Sequence, residues 1–214
     1  INEIGERSFS YWRDQSPSKY IFLGPKGKKL AREIKNADVF YYTGISAGIL
    51  DAKQKKDLIH IGSTAVICGF DFNYRSQLHN DKKVSQLLFK KISENVDINF
   101  VSFDDVKELF DIKNPYEVFE ILNDKKNLIL IRYKDSIIFK NKQEVIKTVK
   151  VHHGEVVDTT AAGDAFNGSF LALINNDKNI SIEDNILKSH SVTREVIKHK
   201  GAIISNKNMP NINT

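Results

Sequence analysis

The stretch that decides the fold is Val-Asp-Thr-Thr-Ala-Ala-Gly-Asp-Ala-Phe-Asn-Gly, residues 157–168. Its polar and small residues predict a turn between a strand that ends near Val157 and a helix that begins near Gly163. The buried face of that helix should carry apolar residues at helical spacing, namely Phe166, Phe170, Leu173 and Ile174. The stretch therefore predicts a strand–turn–helix unit, which is the repeating element of an α/β domain.

The predicted turn also has the chemistry of an anion site. The first backbone N–H groups of a helix have no partner within the helix, and the helix dipole adds partial positive charge there. Such a helix start suits a phosphate or the charge of phosphoryl transfer, and Asp164 in its first turn could accept a proton from a bound hydroxyl. Alternatively, residues 158–160 cap the helix and Asp164 only complements its dipole. Taken alone, so short a motif favours the capping alternative.

The rest of the chain alternates strands with helices. Apolar runs predict strands at 39–43, 65–71, 96–101, 128–131, 137–139 and 145–151. Helical spacing of apolar residues predicts helices at 84–92, 103–110, 116–122, 162–174 and 182–197. Gly201 fits the C-terminal stop of the last helix. This alternation predicts an α/β fold with a mostly parallel central sheet and helices on both of its faces.

The first residues follow another pattern. Residues 8–13 alternate polar and aromatic side chains, which predicts a half-exposed strand in a small sheet that projects from the domain. An open strand edge in such a sheet could pair with a second copy of the chain, so we expect a homo-oligomer.

Composition narrows the possible function classes. The chain has 214 residues, of which 41% are hydrophobic, so it can bury a substantial core. Its single cysteine, Cys68, excludes an internal disulfide framework and a cysteine-based zinc site. No apolar run reaches the roughly 18 residues of a membrane span. The net charge is +5, but the lysines are dispersed among acids and amides, which favours a solvated surface over a nucleic-acid site.

Several motifs together resemble the ribokinase (PfkB-type) family of carbohydrate kinases. The matching segments stand in family order at residues 5–13, 42–46, 69–75, 158–166 and 200–204, and the similarity runs from Glu3 to Pro210. Ala161 replaces a glycine that the family usually has, as in the branch that acts on 2-keto-3-deoxygluconate. The resemblance implies a ribokinase-like fold and a cytoplasmic enzyme that transfers a phosphoryl group from ATP, with Mg²⁺, to 2-keto-3-deoxygluconate, giving the 6-phosphate.

The resemblance also implies a role for individual residues. Asp164 would be the catalytic base, and the backbone of Ala161, Ala162 and Gly163 would form the anion hole for the transferring group. Substrate-binding residues would be Tyr11, Arg13, Ile45, Arg75 and Asp164. Nucleotide-binding residues would be Asn73, Arg132, Ala162 and Gly163, and magnesium would lie near Asp104 and Asp105. An arginine such as Arg13 presents a rigid fork of donors that suits the carboxylate of a sugar acid.

Three departures from the family pattern stand out. The family has an N-terminal portion ahead of Ile1, with substrate-side strands that this sequence does not contain. We therefore expect residues 1–214 to form a single ribokinase-like domain, the C-terminal two-thirds of the family fold, with residues 1–15 in a lid sheet. Lys107 stands where the family often has an acid. The usual Lys-x-Gly turn reads Arg132-Tyr133-Lys134-Asp135, so its charge is kept and its glycine is lost.

Two alternatives to the sugar-acid kinase stay open. One is another sugar kinase of the same family, of the fructose or ribose type, although a neutral sugar would give Arg13 no carboxylate to bind. The other is a non-catalytic fragment of such a kinase, which the missing N-terminal portion, Lys107 and the lost glycine all suggest. The intact string at residues 158–164 favours catalysis over this second alternative.

Overall fold

The computed structural model describes residues 16–122, 127–141, 145–152 and 154–212. These residues form two compact units, a larger one of residues 16–134 and 138–148 and a smaller one of residues 135–137 and 149–212. The prediction that residues 1–214 form one domain stays a prediction. The lid sheet predicted for residues 1–15 lies outside the described residues.

Six strands form one sheet in the order in which they occur along the chain. They are β1 (Val39–Thr43), β2 (Ile67–Asp71), β3 (Ile98–Ser102), β4 (Leu128–Tyr133), β5 (Ser136–Lys140) and β6 (Ile146–Lys150). Strands β1 to β4 are parallel, and two residues join β4 to β5. The near-continuous apolar sequences of β3 and β4 are typical of strands covered on both faces. The predicted mostly parallel sheet of an α/β fold is therefore confirmed.

The described part of the chain contains eight α-helices. The larger unit contains α1 (Gly24–Lys35), α2 (Gly44–Ile49), α3 (Ala52–Gly62), α4 (Lys82–Ser93), α5 (Phe103–Phe110) and α6 (Glu117–Ile121), and the smaller unit contains α7 (Ala162–Asn176) and α8 (Ile182–Val196). Side-chain caps begin several of them. The side chains of Asp51, Asp81 and Ser181 accept the N–H groups of Gln54, Val84 and Asp184 at the starts of α3, α4 and α8.

The structure corrects the sequence predictions at three places. Helices α1, α2 and α3 were not predicted, because α1 is lysine-rich with two glycines and a proline and α2 is short and rich in small residues. The prediction of a strand that ends near Val157 is wrong. The backbone N–H groups of Val157 and Asp158 both donate to the carbonyl of Ile197 and not to a neighbouring strand. Helix α8 ends at Val196, well before Gly201.

Aromatic rings fill the core of the larger unit. Phe70 and Phe72 of the β2 region and Phe89 of α4 are fully buried, and their ring centroids lie 5.2–5.7 Å apart. Cys68 on β2 is also buried, and burial raises the pKa of its thiol to about 12, which is typical of a packing residue and not of a nucleophile. This core holds the carboxyl ends of β1 to β4 side by side, which is where an open parallel sheet places its functional side chains.

Candidate active site

The turn that opens α7 in the smaller unit has a left-handed residue at its end. Ala161 precedes the first residue of α7 with φ 60° and ψ 15°, and its carbonyl accepts the N–H of Ala165 at 2.8 Å. Alanine has no side-chain acceptor, so it cannot cap the first turn as a serine or an aspartate would. The N–H of Ala162 donates to the carbonyl of Thr159 at 3.2 Å, so one of the three predicted anion-hole donors has a partner inside the turn.

Asp158 holds this turn in place. Its side chain is 3% exposed; Oδ1 accepts the N–H of Thr160 at 2.9 Å, and Oδ2 accepts the N–H of Gly201 at 2.6 Å. From the sequence, Asp158 was expected only as a possible cap. A side chain of Asp that accepts the N–H two residues later forms an Asx turn. The sequence signal for this role is an Asp within a run of small and polar residues. Asp158 thus ties the predicted anion hole to the loop that follows α8.

Asp164 stands in the first turn of α7 and is exposed. The same helix is anchored by residues on its other side, since Phe166 and Phe170 are buried with their ring centroids 6.0 Å apart. A carboxylate on the solvent side of an anchored helix start can meet a bound hydroxyl without a change in the helix. The geometry of this turn is therefore compatible with proton acceptance by Asp164.

A cluster of charged side chains lies at the carboxyl ends of β2 to β4 in the larger unit. Nη1 of Arg75 lies 3.2 Å from Oδ1 of Asp105 and donates to the carbonyl of Tyr74 at 2.6 Å. Nη2 of Arg132 lies 3.5 Å from Oδ2 of Asp71. We call Asp71, Arg75, Asp105 and Arg132 the strand-end cluster. It brings together Arg75, Asp105 and Arg132, three of the predicted site residues, and adds Asp71, which sequence reasoning missed.

Asn73, a fourth predicted residue, lies beside the strand-end cluster. Its backbone is left-handed with φ 33°, and its N–H donates to Oδ1 of Asp71 at 3.1 Å. Its side-chain Oδ1 is buried and has no hydrogen-bond partner among the residues that the structure describes. A buried acceptor of this kind is available to a ligand that brings a donor.

Asp104 and Asp105, the predicted magnesium residues, differ in environment. Asp104 is exposed on α5, whereas burial raises the pKa of Asp105 to about 6, with Arg75 and Arg132 opposing the rise and Asp71 adding to it. No group of three or more His, Cys, Asp or Glu side chains suited to a metal occurs within the described ranges. A magnesium ion held mainly by phosphates and water needs only one or two carboxylates, so a single carboxylate such as that of Asp105 fits that mode.

The remaining predicted residues are more scattered. Ile45 lies in α2, whose first turn is capped by Thr43, and it lines a mostly apolar cavity of about 430 Å³ beside β1. Tyr11 and Arg13 lie outside the described residues. Lys107 is exposed on α5. Lys134, which replaces the family's glycine, has φ 50°, so the turn keeps the left-handed backbone that glycine would adopt without strain.

Comparison with known proteins identifies the family. The family model described as "pfkB family carbohydrate kinase" matches residues 1–209. The chain belongs to the pfkB family of carbohydrate kinases. The family resemblance stated from the motifs is thereby confirmed.

Two of the curated relatives share one name, and a third is named a fructokinase. The chain is 30% identical to a 2-dehydro-3-deoxygluconokinase of Escherichia coli strain K12, over 98% of this chain and 70% of the relative. It is 33% identical to a 2-dehydro-3-deoxygluconokinase of Haemophilus influenzae, over 95% of this chain and 67% of the relative. It is also 26% identical to fructokinase-2 of Oryza sativa subsp. japonica, over 94% of this chain and 59% of the relative.

Two solved kinase structures share the fold of this chain. An aminoimidazole riboside kinase from Salmonella enterica, in complex with aminoimidazole riboside and an ATP analog, superposes with a TM-score of 0.64 at 20% identity, over 78% of this chain and 58% of that one. A fructokinase from Xylella fastidiosa with bound ATP superposes with a TM-score of 0.65 at 20% identity, over 84% of this chain and 60% of that one. The chain thus spans less than two thirds of each of these structures, with which it shares a ribokinase-like α/β fold.

No helix in the described part of this pfkB-family chain is both long and apolar enough to cross a membrane.

Proposed function

We propose that the protein is an ATP-dependent sugar-acid kinase that phosphorylates 2-keto-3-deoxygluconate at its 6-hydroxyl. The observation that carries the proposal is the turn before α7, where Asp158 fixes a left-handed Ala161 at the helix start and leaves Asp164 exposed in the first turn. The names of the relatives at 30% and 33% identity support this substrate, which is also called 2-dehydro-3-deoxygluconate.

In this proposal, Asp164 accepts the proton of the attacking hydroxyl. The backbone at Ala161, Ala162 and Gly163, together with the dipole of α7, stabilises the charge on the transferring phosphoryl group. Because such a transfer needs little covalent help from the protein, positioning and charge stabilisation supply most of the rate enhancement.

The substrate would be held by cationic and aromatic side chains. Arg13 would grip the carboxylate of the sugar acid, Tyr11 and Ile45 would line the sugar pocket, and Arg75 would contact the substrate or the phosphates. Arg75 is already held by Asp105 and by the carbonyl of Tyr74, so its guanidinium is oriented before any ligand binds. Pre-orientation lowers the entropy that binding must overcome.

ATP would be the phosphoryl donor, with Asn73, Arg132, Ala162 and Gly163 on the nucleotide side. Asp105 and Asp104 would be the protein's contribution to holding Mg²⁺, which would supply positive charge at the transferring group. A cytoplasmic setting suits both the use of ATP and the unpaired thiol of Cys68. A homo-oligomer remains part of the proposal for the whole protein, and sedimentation that finds only monomers would contradict it.

The first test is coupled release of ADP from Mg-ATP and 2-keto-3-deoxygluconate. We expect turnover by the parent protein and a loss of about 10²–10⁴-fold in Asp164→Asn, which keeps the shape of the side chain but cannot accept the proton. The matched control is Glu183→Gln, which removes an acid from the first turn of α8 in the same unit. Both substitutions should lower helix stability by a few tenths of a kcal/mol, but Glu183→Gln should leave turnover unchanged. Undiminished turnover in Asp164→Asn would remove Asp164 from the base role.

A second candidate function is phosphorylation of a neutral sugar, which the 26% identity to a fructokinase over 94% of the chain favours. Arg13→Ala separates the two candidates. If the substrate is a sugar acid, this variant should lose activity on sugar acids alone. Equal losses on fructose, ribose and the sugar acid would contradict the carboxylate role of Arg13.

A non-catalytic role is the other alternative, since the chain spans 67–70% of the length of its two 2-dehydro-3-deoxygluconokinase relatives. Measuring the intact mass of the purified protein alongside the coupled assay decides this. A protein of 24.4 kDa, the mass of this chain, without turnover would support the non-catalytic role.

A further inference from the structure

Asp71 lies at the centre of the strand-end cluster although no motif argument singled it out. It is the last residue of β2 and is 3% exposed. Oδ1 accepts the backbone N–H of Asn73 at 3.1 Å, while Oδ2 lies 3.5 Å from Nη2 of Arg132 and accepts the hydroxyl of Tyr41 at 3.5 Å. One buried carboxylate therefore contacts both Asn73 and Arg132, the two residues of this unit proposed to bind nucleotide.

The contact with Asn73 shapes the backbone there. Asn73 has φ 33°, a conformation that non-glycine residues rarely adopt, and an acceptor two residues earlier stabilises such a turn. The residues on both sides of Asn73 are anchored, because Phe72 and Tyr74 are both buried. The N–H of Phe72 also donates to the carbonyl of Phe100 at 3.0 Å. Asn73 is thus fixed between two anchors, and the bond from its N–H to Asp71 holds its left-handed backbone.

The contact with Arg132 is electrostatic. The side chain of Arg132 is only 26% exposed, and a nearby negative charge offsets the cost of its partial burial. Asp71 provides that charge from the end of β2, two strands away from β4 in the sheet. An uncharged residue at position 71 would leave Arg132 to turn towards Asp105 or towards solvent, away from its present orientation.

We infer that Asp71 is a positioning residue for the nucleotide. Through one carboxylate it holds the left-handed backbone at Asn73 and the guanidinium of Arg132, and it does not contact the nucleotide itself. This inference rests on the proposed function, because the nucleotide-side roles of Asn73 and Arg132 belong to that proposal.

The test compares Asp71→Asn with Tyr41→Phe, by equilibrium binding of a fluorescent ATP analogue and by steady-state kinetics. Asp71→Asn keeps an acceptor for Asn73 but loses the charge that holds Arg132. We expect its Kd for the analogue and its KM for ATP to rise at least tenfold, while KM for the sugar acid changes less than threefold. Tyr41→Phe removes another contact of the same carboxylate and should bind nucleotide as the parent does.

A second variant guards against a folding defect. Asp71→Glu keeps the charge near Arg132, but its longer side chain alters the turn at Asn73, so we expect a threefold to tenfold loss of ATP affinity with a cooperative thermal transition. ATP affinity within twofold of the parent in both Asp71 variants overturns the inference and leaves the proposed function standing. Equal increases in KM for ATP and for the sugar acid also overturn it, since they indicate a general defect. A parent protein that binds no nucleotide overturns the proposed function and the inference together.

Discussion

The residue before α7 combines an unusual backbone with an ordinary side chain. Ala161 adopts φ 60°, although a non-glycine residue in this conformation carries a cost of about 1–2 kcal/mol. The bonds from Asp158 to Thr160 and Gly201 hold the turn in spite of that cost. Strain kept in place by surrounding structure is typical of functional turns, which agrees with the role proposed for this one.

Replacing Ala161 with glycine should therefore stabilise the protein. Relief of the left-handed cost outweighs the larger entropy of glycine in the unfolded chain, about 0.4–1 kcal/mol, so we expect a net gain of up to about 1 kcal/mol. Turnover should stay within about twofold, because the backbone of the turn is unchanged. Urea unfolding and the coupled assay measure both effects.

The matched variant at the same position is Ala161→Val. A β-branched side chain disfavours a positive φ strongly, so this variant should lose about 2 kcal/mol and most of its turnover. A glycine variant that is less stable than the parent would contradict the left-handed conformation at Ala161.

At the scale of elements, two backbones approach closely where helix α2 begins after β1. A Cβ on Gly44, the first residue of α2, would overlap the carbonyl oxygen of Phe72 and lie 2.7 Å from Cζ of Phe89. The carbonyl belongs to the segment that leads to Asn73 and Arg75, so the approach couples the start of α2 to the strand-end cluster. Only glycine fits this contact without moving one of the two elements.

Two glycine-to-alanine variants test this packing. Gly44→Ala should destabilise the protein by about 3 kcal/mol, because neither the backbone of Phe72 nor the buried ring of Phe89 can move easily. Gly168→Ala is the control: this glycine lies on α7, where an added methyl group would meet nothing within 4 Å, so alanine should stabilise by about 0.5–1 kcal/mol. Thermal unfolding measures both, and opposite signs are the expected result. Equal effects of the two variants would show that the approach at Gly44 is not tight.

At the scale of the whole molecule, one histidine links stability to pH. The ring of His79 lies 5.1 Å from that of Tyr74 and 5.5 Å from that of Phe89, and its Nε2 is buried without a hydrogen-bond partner in the part of the chain that the structure describes. Burial, together with the nearby charge of Lys55, lowers the pKa of His79 to about 4. Folding therefore favours the neutral imidazole.

The sign of the pH dependence follows from this lowered pKa. Between pH 6.5 and about pH 4 the unfolded chain binds a proton that the folded protein does not, so stability is present above pH 6.5 and is lost as the pH falls. Because the side chain is only partly buried, solvent screening reduces the expected loss to about 1–2 kcal/mol. His79→Phe keeps an aromatic ring and removes the group that binds the proton. The stability of this variant should depend less on pH over that range, as urea unfolding at pH 7 and pH 5 would measure.

If the parent and His79→Phe lose stability in parallel between pH 7 and pH 5, other groups carry the acid response. His60→Phe, at an exposed position near the end of α3, controls for the general effect of a histidine-to-phenylalanine change.

The sequence alone predicted most elements of this fold and much of the candidate site. Strands β1 to β4 stand within two residues of their predicted positions, since each is an apolar run with few polar residues. Asp164, Arg75, Asn73 and Arg132 were predicted as site residues because the motifs that contain them resemble those of the pfkB family. Helix α1 was missed because its sequence, rich in lysine and glycine, contains few of the local signals that predict a helix.

The sequence by itself thus determined the α/β class, the family and the turn before α7, because periodicity, motif spacing and turn chemistry are local properties of the chain. Only the tertiary structure decided that Asp71 contacts Asn73, Arg132 and Tyr41, that Asp158 reaches Gly201, and that Gly44 meets Phe72. Most of these contacts join residues that lie far apart along the chain. The physical reason is that a carboxylate's partner and a backbone's closest neighbour are set by how strands and helices pack, which no local pattern encodes.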